Sequence, residues 1–487
     1  MSMRLNRMLT ARGEVAHAQG EAQVWSHPFT GMTAPSPKRS VKMIKFVVAV
    51  ACYALAATFT NTSLLYADEK ALAAPPDNKE TQEAKPPAAT PPSATEPPPA
   101  TAAPTGLLMS ALGKAGIAEP LNKVGINLYG YVEGGYFRDF SAPSIHDGPT
   151  FIGYDSFKNT AILDKISLNV ERTVDPTKKQ FDVGFRVEGI YGADAAFIHS
   201  NGMGDTQTGR NQWDPLQAYV DVTFPDMPVR LRVGKWIELA GFEQFSANIY
   251  GAFGDPSRAL YSYSYQFLYA EPGTQTGALG TYVLNPQWTF DAGFTRGWNQ
   301  SLRDANGVLD FLGRVTFTPS DKTSIIFVMT EGPEFPAGVG RKLPSGDSRD
   351  WWTALDLAIT QKITDKLSLG LGFDYVETPH IPGLTGGAKQ WGGVADYVSY
   401  AFDPHFTLNT RLEWYEDAAN GFSTGAPVSA NYYEATVGVA IKPFPKDKIL
   451  CCLLFRPEVR YDYSDRSVFN SGDHNQFTFS VDAILTF

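Results

Sequence analysis

Cysteine is scarce, with three in 487 residues. Cys52 sits in an apolar leader-like stretch, and Cys451 and Cys452 are neighbours in the chain. Adjacent cysteines rarely bond each other, and two thiols make no zinc site. Neither a disulfide framework nor a zinc centre therefore organises the protein. Charge is low as well: Asp, Glu, Lys and Arg make up 19% and the net charge is −10. Without a basic excess, no nucleic-acid partner is expected. Long apolar runs are missing too. The longest, residues 44–57, is interrupted by Lys45 and falls short of the ~18 residues a helix needs to cross a bilayer. No H-E-x-x-H metal helix occurs and no nucleophile elbow is expected. The one adjacent pair with nucleophilic chemistry, His199-Ser200, lies in a Gly/Asn-rich stretch where solvated loop residues are the simpler reading. No catalytic residue, cofactor or metal site is expected.

Aromatic residues and glycine are plentiful. Aromatics are 13%, with 31 Phe, 22 Tyr and 44 Gly, and mean hydropathy is −0.20. That balance suits strands that are apolar on one face and polar on the other. The last eleven residues, Phe477–Phe487, show the pattern directly. Phe477, Phe479, Val481, Ala483, Leu485 and Phe487 share one face. Thr478, Ser480, Asp482 and Thr486 share the other, with Ile484 the apolar exception. A segment of about ten residues, alternating in this way, has the length and pattern of a bilayer-spanning strand. Its terminal Phe resembles the assembly signal read by the barrel-assembly machinery of bacterial outer membranes.

Before the strands lie segments of other kinds. Residues 1–67 read as an N-terminal extension plus a Sec-type signal peptide, with Lys38, Arg39 and Lys42 ahead of the apolar core and cleavage expected after Ala67. Met43 is the expected true start. Residues 68–122 read as a Pro/Ala-rich periplasmic linker, whose composition favours an extended spacer and cannot bury a core. A tail without fixed structure weighs at least as much here as a peptidoglycan contact. The linker ends in one short amphipathic helix, expected over Thr105–Ala118 from the spacing of Leu107, Leu108, Ala111, Leu112 and Ala115. Residues 123–487 read as the barrel.

From Gly125 onward, strands alternate with short turns and long loops. The turns carry turn chemistry: Asp175-Pro176, Pro225–Pro228, Asn285-Pro286, Pro319–Asp321, Thr364-Asp365 and Asp403-Pro404. Short turns on one side and long loops on the other predict an all-β, antiparallel up-and-down transmembrane barrel of about sixteen strands. Alternation sends Glu133, Arg186, Glu188, Arg230, Arg232, Arg314, Arg411, Glu413, Arg456, Glu458, Arg460 and Asp462 to the lumen. An arginine on the lipid face would cost roughly 2–4 kcal/mol near the midplane. Two segments resist sorting: Ser324–Thr330 is nearly all apolar, and Val394–Phe402 has no clean alternation. Pro457 removes a ladder donor and predicts an irregularity. Trp236, Trp288, Trp298, Trp351, Trp352, Trp391 and Trp414 fall at strand ends, where an interfacial girdle would place them.

The third long loop, about Ile237–Gly273, is the longest and is expected to narrow the pore. Its charged residues are Glu238, Glu243, Asp255, Arg258 and Glu271. Facing arginines on the opposite wall, they would set up a transverse field. Alternatively, Arg456/Glu458 and Arg460/Asp462 are ion pairs that stiffen the wall.

Gly130–Tyr136, Phe185–Glu188 with Tyr191–Ala195, Leu231–Lys235, Tyr269–Pro272, Arg456–Asp462 and Phe477–Phe487 together resemble the putative β-barrel porin-2, OmpL-like outer-membrane proteins, over about Gly106–Phe487. The resemblance implies an outer-membrane porin and transfers no catalytic residue. The expected function is passive diffusion of small hydrophilic solutes and ions through a water-filled barrel. The expected partners are outer-membrane lipid, those solutes and the assembly machinery, with a trimeric homo-oligomer as the expected association. The alternatives are a cell-wall-tethered structural barrel, with its lumen closed, and an outer-membrane hydrolase.

Overall fold

The computed structural model describes residues 107–142, 157–245, 259–335, 350–447, 449–470 and 472–487. Residues 1–106, which hold the expected extension, signal peptide and most of the linker, lie outside them, as do Asp255 and Arg258 of the third loop.

Seventeen antiparallel segments fill the sixteen places of one closed sheet. They are β1 (Asn127–Asp139), β2 (Thr160–Arg172), β3 (Asp182–Gly192), β4 (Gln212–Thr223), β5 (Val229–Ile237), β6 (Thr274–Asn285), β7 (Trp288–Thr295), β8 (Asp310–Ser320), β9 (Thr323–Pro333), β10 (Trp351–Lys362), β11 (Leu367–Thr378), β12 (Lys389–Ala401), β13 (Phe406–Asp417), β14 (Ala430–Ile441), β15 (Leu453–Phe455), β16 (Glu458–Ser464) and β17 (Asn475–Thr486). The pieces β15 and β16 share one place between β14 and β17. They part at Arg456-Pro457, where the expected irregularity falls. Proline cannot donate, but its carbonyl still accepts from Val439 N at 3.0 Å.

Neighbouring strands pair in sequence order, and β1 closes on β17 from Tyr131↔Thr486 to Asp139↔Thr478. Closure leaves no unpaired edge, which a sheet in hydrocarbon requires. At the seam, Gly130 and Phe487 exchange backbone hydrogen bonds of 2.9 and 2.8 Å. The expected turns make the short connections. In three of them an Asx side chain caps the turn: Asp175 accepts from Thr177 N, Asn285 from Gln287 N and Asp403 from His405 N.

The alternation of β17 holds: Gln476, Thr478, Ser480, Asp482 and Thr486 are buried inward, as is Ile484, which packs on Tyr131. Val187, Leu168, Val233, Phe294 and Leu412 are exposed on the outer face, a lipid-facing belt.

The expected helix over Thr105–Ala118 is two short helices, α1 (Leu107–Lys114) and α2 (Ala118–Lys123). Gly116 between them adopts φ +74°, a left-handed conformation that ends the first. α1 packs on β1 with Met109 buried.

The tryptophan girdle needs correction. Trp236, Trp298, Trp352 and Trp391 are at most 5% exposed and join apolar clusters inside the barrel. Trp351 remains exposed on the outer face. The unsorted strands have the same cause. Ile326 and Val328 of β9 and Ala395 and Tyr397 of β12 turn inward to meet Leu239, Ala240 and Phe242 of the third loop. An apolar loop inside the barrel reverses the polarity expected of a lumen wall.

Candidate functional site

The connection from Ile237 to Thr274 is the longest in the sheet, and it turns inward. Its base is pinched where Glu238 N donates to Gly273 O at 3.3 Å. Phe242 then crosses to the far side and stacks on Tyr397 with ring centroids 4.2 Å apart. Gly370 makes room for it: a Cβ there would lie 2.1 Å from the Phe242 ring. Further on, Phe245 lies under the Lys165 ammonium, 4.1 Å from the ring centroid. The returning arm, from Ala259, ends in a short helix, α3 (Tyr265–Tyr269), capped by Ser264 Oγ accepting from Phe267 N.

The wall formed by β12–β17 and β2 reads the backbone of this returning arm. Arg456 donates to Leu260 O (3.0 Å), Arg411 to Ser262 O (2.8 Å) and Arg460 to Tyr263 O (2.6 Å). Glu458 accepts from Tyr261 N (2.8 Å) and Ser262 N (3.0 Å), and Glu413 from Tyr265 N (2.7 Å) and Gln266 N (2.8 Å). Side chains add to the clasp. Tyr261 donates to Asp164, Tyr265 to Asp462, and Trp391 Nε1 to Tyr269 O. Arginines meet carbonyls and carboxylates meet N–H groups, so buried loop backbone is satisfied by charge-assisted bonds. At the outer mouth, Tyr265, Tyr269, Trp298, Phe335, Trp352, Trp391 and Tyr415 form one aromatic cluster.

A closed antiparallel barrel with its longest loop clasped across the interior is a channel-protein architecture. The family model for putative beta-barrel porin-2, OmpL-like proteins matches residues 125–487. The chain belongs to this family. It is thus an outer-membrane channel protein and not an enzyme. Solved structures similar to this porin include the outer membrane channel DcaP of Acinetobacter baumannii (12% identity, TM-score 0.47, covering 74% of this chain and 97% of that one). The anion-selective porin from Comamonas acidovorans has 10% identity and a TM-score of 0.47, covering 74% and 99%. OprB of Pseudomonas putida has 13% identity and a TM-score of 0.46, covering 77% and 97%. No curated protein matches the chain.

Several of the porin's other inward charges are paired locally. Arg232 meets Asp221 at 2.9 Å, with Arg230 at 3.8 Å from the same carboxylate. Arg314 meets Asp291 at 2.7 Å, and Arg186 meets Glu188 at 2.9 Å. Glu133 bridges Lys165 (3.2 Å) and Arg456 (2.9 Å). The expected transverse field is not what the described residues form. Arg411 binds loop Glu243 directly at 2.6 Å and Glu434 at 2.8 Å, instead of facing the loop across open space. Of the two suggested wall pairs, Arg460–Asp462 exists at 2.7 Å. Arg456 pairs with Asp482 and Glu133, which frees Glu458 for the loop.

Glu238 and Glu271 have a different setting. Both are buried, and neither forms an ion pair among the described residues. Burial pushes the Glu238 carboxyl up to about 8, against the pull of the Phe245 N–H. Burial first, and then Asp374, Asp356, Glu238 and Glu243 nearby, hold Glu271 well above the usual carboxylate range. Asp356 and Asp374 were missed in the sequence, although alternation in β10 and β11 turns both inward.

The hydrolase alternative finds no geometry. His199 is held by Asp214 (2.6 Å) and Gln212 (2.7 Å), while Ser200 bonds Thr274 (2.6 Å). Against the expectation of no nucleophile elbow, a G-x-S-x-G pentapeptide does occur at Gly421–Gly425. It lies in a loop between two strands, not at a strand-to-helix elbow. Its Ser423 Oγ donates to Asp417 at 2.8 Å and lies 2.9 Å from Tyr415 Oη, with no histidine bonded to it among the described residues.

Proposed function

We propose that the third loop sets the passage, so that only small hydrophilic solutes and ions diffuse through. The observation that carries this is the double-sided clasp. Arg411, Arg456, Arg460, Glu413 and Glu458 fix the loop's backbone inside the barrel. A sixteen-strand barrel is otherwise too wide for wall side chains to fill. Size-graded liposome swelling tests it. Swelling with the smallest polar solutes and none with disaccharides is expected, and the cut-off should rise once most of residues 238–273 is removed. An unchanged cut-off would remove the loop from the function.

A second reading is favoured by the depth of burial: Arg411, Arg456 and Arg460 are at most 2% exposed. The barrel then rests closed and serves as a structural protein tethered through its linker. No swelling by the intact protein, with swelling after loop removal, would support that version. Three further expectations belong to the same proposal. Export uses a Sec-type signal. Insertion uses Phe477–Phe487 as the assembly signal, so removing Phe487 should lower outer-membrane yield. Association is as a trimer, which native mass measurement in detergent would refute by finding monomer alone. A peptidoglycan contact through residues 68–122 would be refuted if a linker-deleted protein still co-sediments with cell wall.

A further inference from the structure

Most buried charges in this barrel have an opposite charge within reach, but three carboxylates gathered in one group have none among the described residues. Glu271 of the third loop, Asp356 of β10 and Asp374 of β11 each place a carboxylate oxygen within 4.8 Å of the others'. All three are buried, and no basic side chain pairs with any of them among the described residues. A second observation is independent of this proximity. Neither oxygen of Asp356, a residue 4% exposed, has a hydrogen-bond partner, and Glu271 Oε2 has none either. The Gly241 N–H and the Asp374 carboxyl approach Asp356. The loop backbone packs hard against the group from the other side. A Cβ on Gly241, which adopts φ +89°, would lie 2.0 Å from Glu271 Oε2.

Uncompensated buried carboxylates are costly, by several kcal/mol per ion, so something must neutralise them. Oxygen-only donors select a hard cation over zinc or copper. Calcium–oxygen distances of ~2.3–2.6 Å let oxygens up to about 5 Å apart share one ion, and the three carboxylate oxygens lie within 4.8 Å of one another. Calcium takes six to eight oxygens, whereas magnesium keeps several waters and is bound through one or two carboxylates. The carboxylates come from three separate elements, one in the loop and two in the wall. We propose that Glu271, Asp356 and Asp374 bind one calcium ion, which fastens the third loop to β10 and β11. The arginine and glutamate clasp holds the loop to β13–β17. The ion would hold its base to the opposite flank of the same wall.

The test is calcium titration of the folded full-length barrel after EDTA treatment, by calorimetry and by terbium luminescence. Asp356→Asn and Glu271→Gln are near-isosteric variants, checked for folding by heat-modifiable gel migration. One ion per chain is expected, bound at least tenfold more weakly in either variant. EDTA should lower the unfolding midpoint of the native protein and leave that of a folded variant unchanged. If a variant does not fold, the EDTA effect and the stoichiometry of the native protein decide alone. Three results would overturn the proposal: no stoichiometric binding by native protein, binding of equal strength in both variants, or a native midpoint indifferent to EDTA. The first and last together would mean that the carboxyls hold protons instead.

Discussion

Gly130 faces Phe487 across the seam where the barrel closes. A Cβ there would lie 2.3 Å from Ser167 O and 2.8 Å from the Phe487 ring, so neither the strand spacing nor the ring could stay in place. Gly130→Val is expected to slow or prevent closure, seen as loss of the heat-modifiable folded band during refolding; a normal folded yield would refute the seam argument. Arg411 shows the opposite case, a large residue whose removal leaves charge behind. It holds Glu434, Glu243 and Ser262 O at once, and breaking a buried pair costs about 3–5 kcal/mol. Arg411→Ala should therefore lower the urea midpoint clearly, while an exposed change such as Asp403→Asn should not. At this scale the sequence was legible wherever alternation alone decides orientation. Of the twelve residues expected in the lumen, eleven are buried and Arg186 is half-buried, in keeping with alternation, since a one-residue slip would put their charges in lipid. Partner choice was not legible. Nothing in the spacing of Arg456 and Glu458 says that the arginine reaches Asp482 and Glu133 while the glutamate caps two loop N–H groups.

The third loop is the element on which most of this depends. Its existence and length were readable from the spacing of the turns. Its packing was not, because it arises between residues far apart in the chain, such as Phe242 on Gly370 and Tyr397. The same long-range packing explains why Ser324–Thr330 and Val394–Phe402 looked irregular and why four tryptophans abandoned the expected girdle. Strand signals are local, and a filled lumen is not. The loop should also be sensitive to pH. The folded-state value of Glu238, about 8, lies above the ordinary 4.5. The stabilising effect of its neutral carboxyl is full below about pH 4.5 and is lost as pH rises toward 8. Glu271 is raised in the same direction. In EDTA, limited proteolysis within residues 238–273 should quicken between pH 5 and 8, and Glu238→Gln should flatten that profile. A flat native profile would show that Glu238 does not couple to the loop.

At the scale of the whole molecule, sixteen strands define a cylinder too wide for its own wall side chains, and the loop, its clasp and the aromatic cluster at the mouth occupy the difference. Conduction should then be small at rest and governed by one element. The direct measurement is single-channel conductance of the refolded protein in planar bilayers, compared with Arg411→Ala and with a variant lacking most of residues 238–273. Small, stable steps that grow several-fold on loop deletion, with Arg411→Ala between the two, are predicted. Steps of the same size in all three, or none from any of them in protein shown to be folded, would contradict the claim that the clasped loop sets the passage.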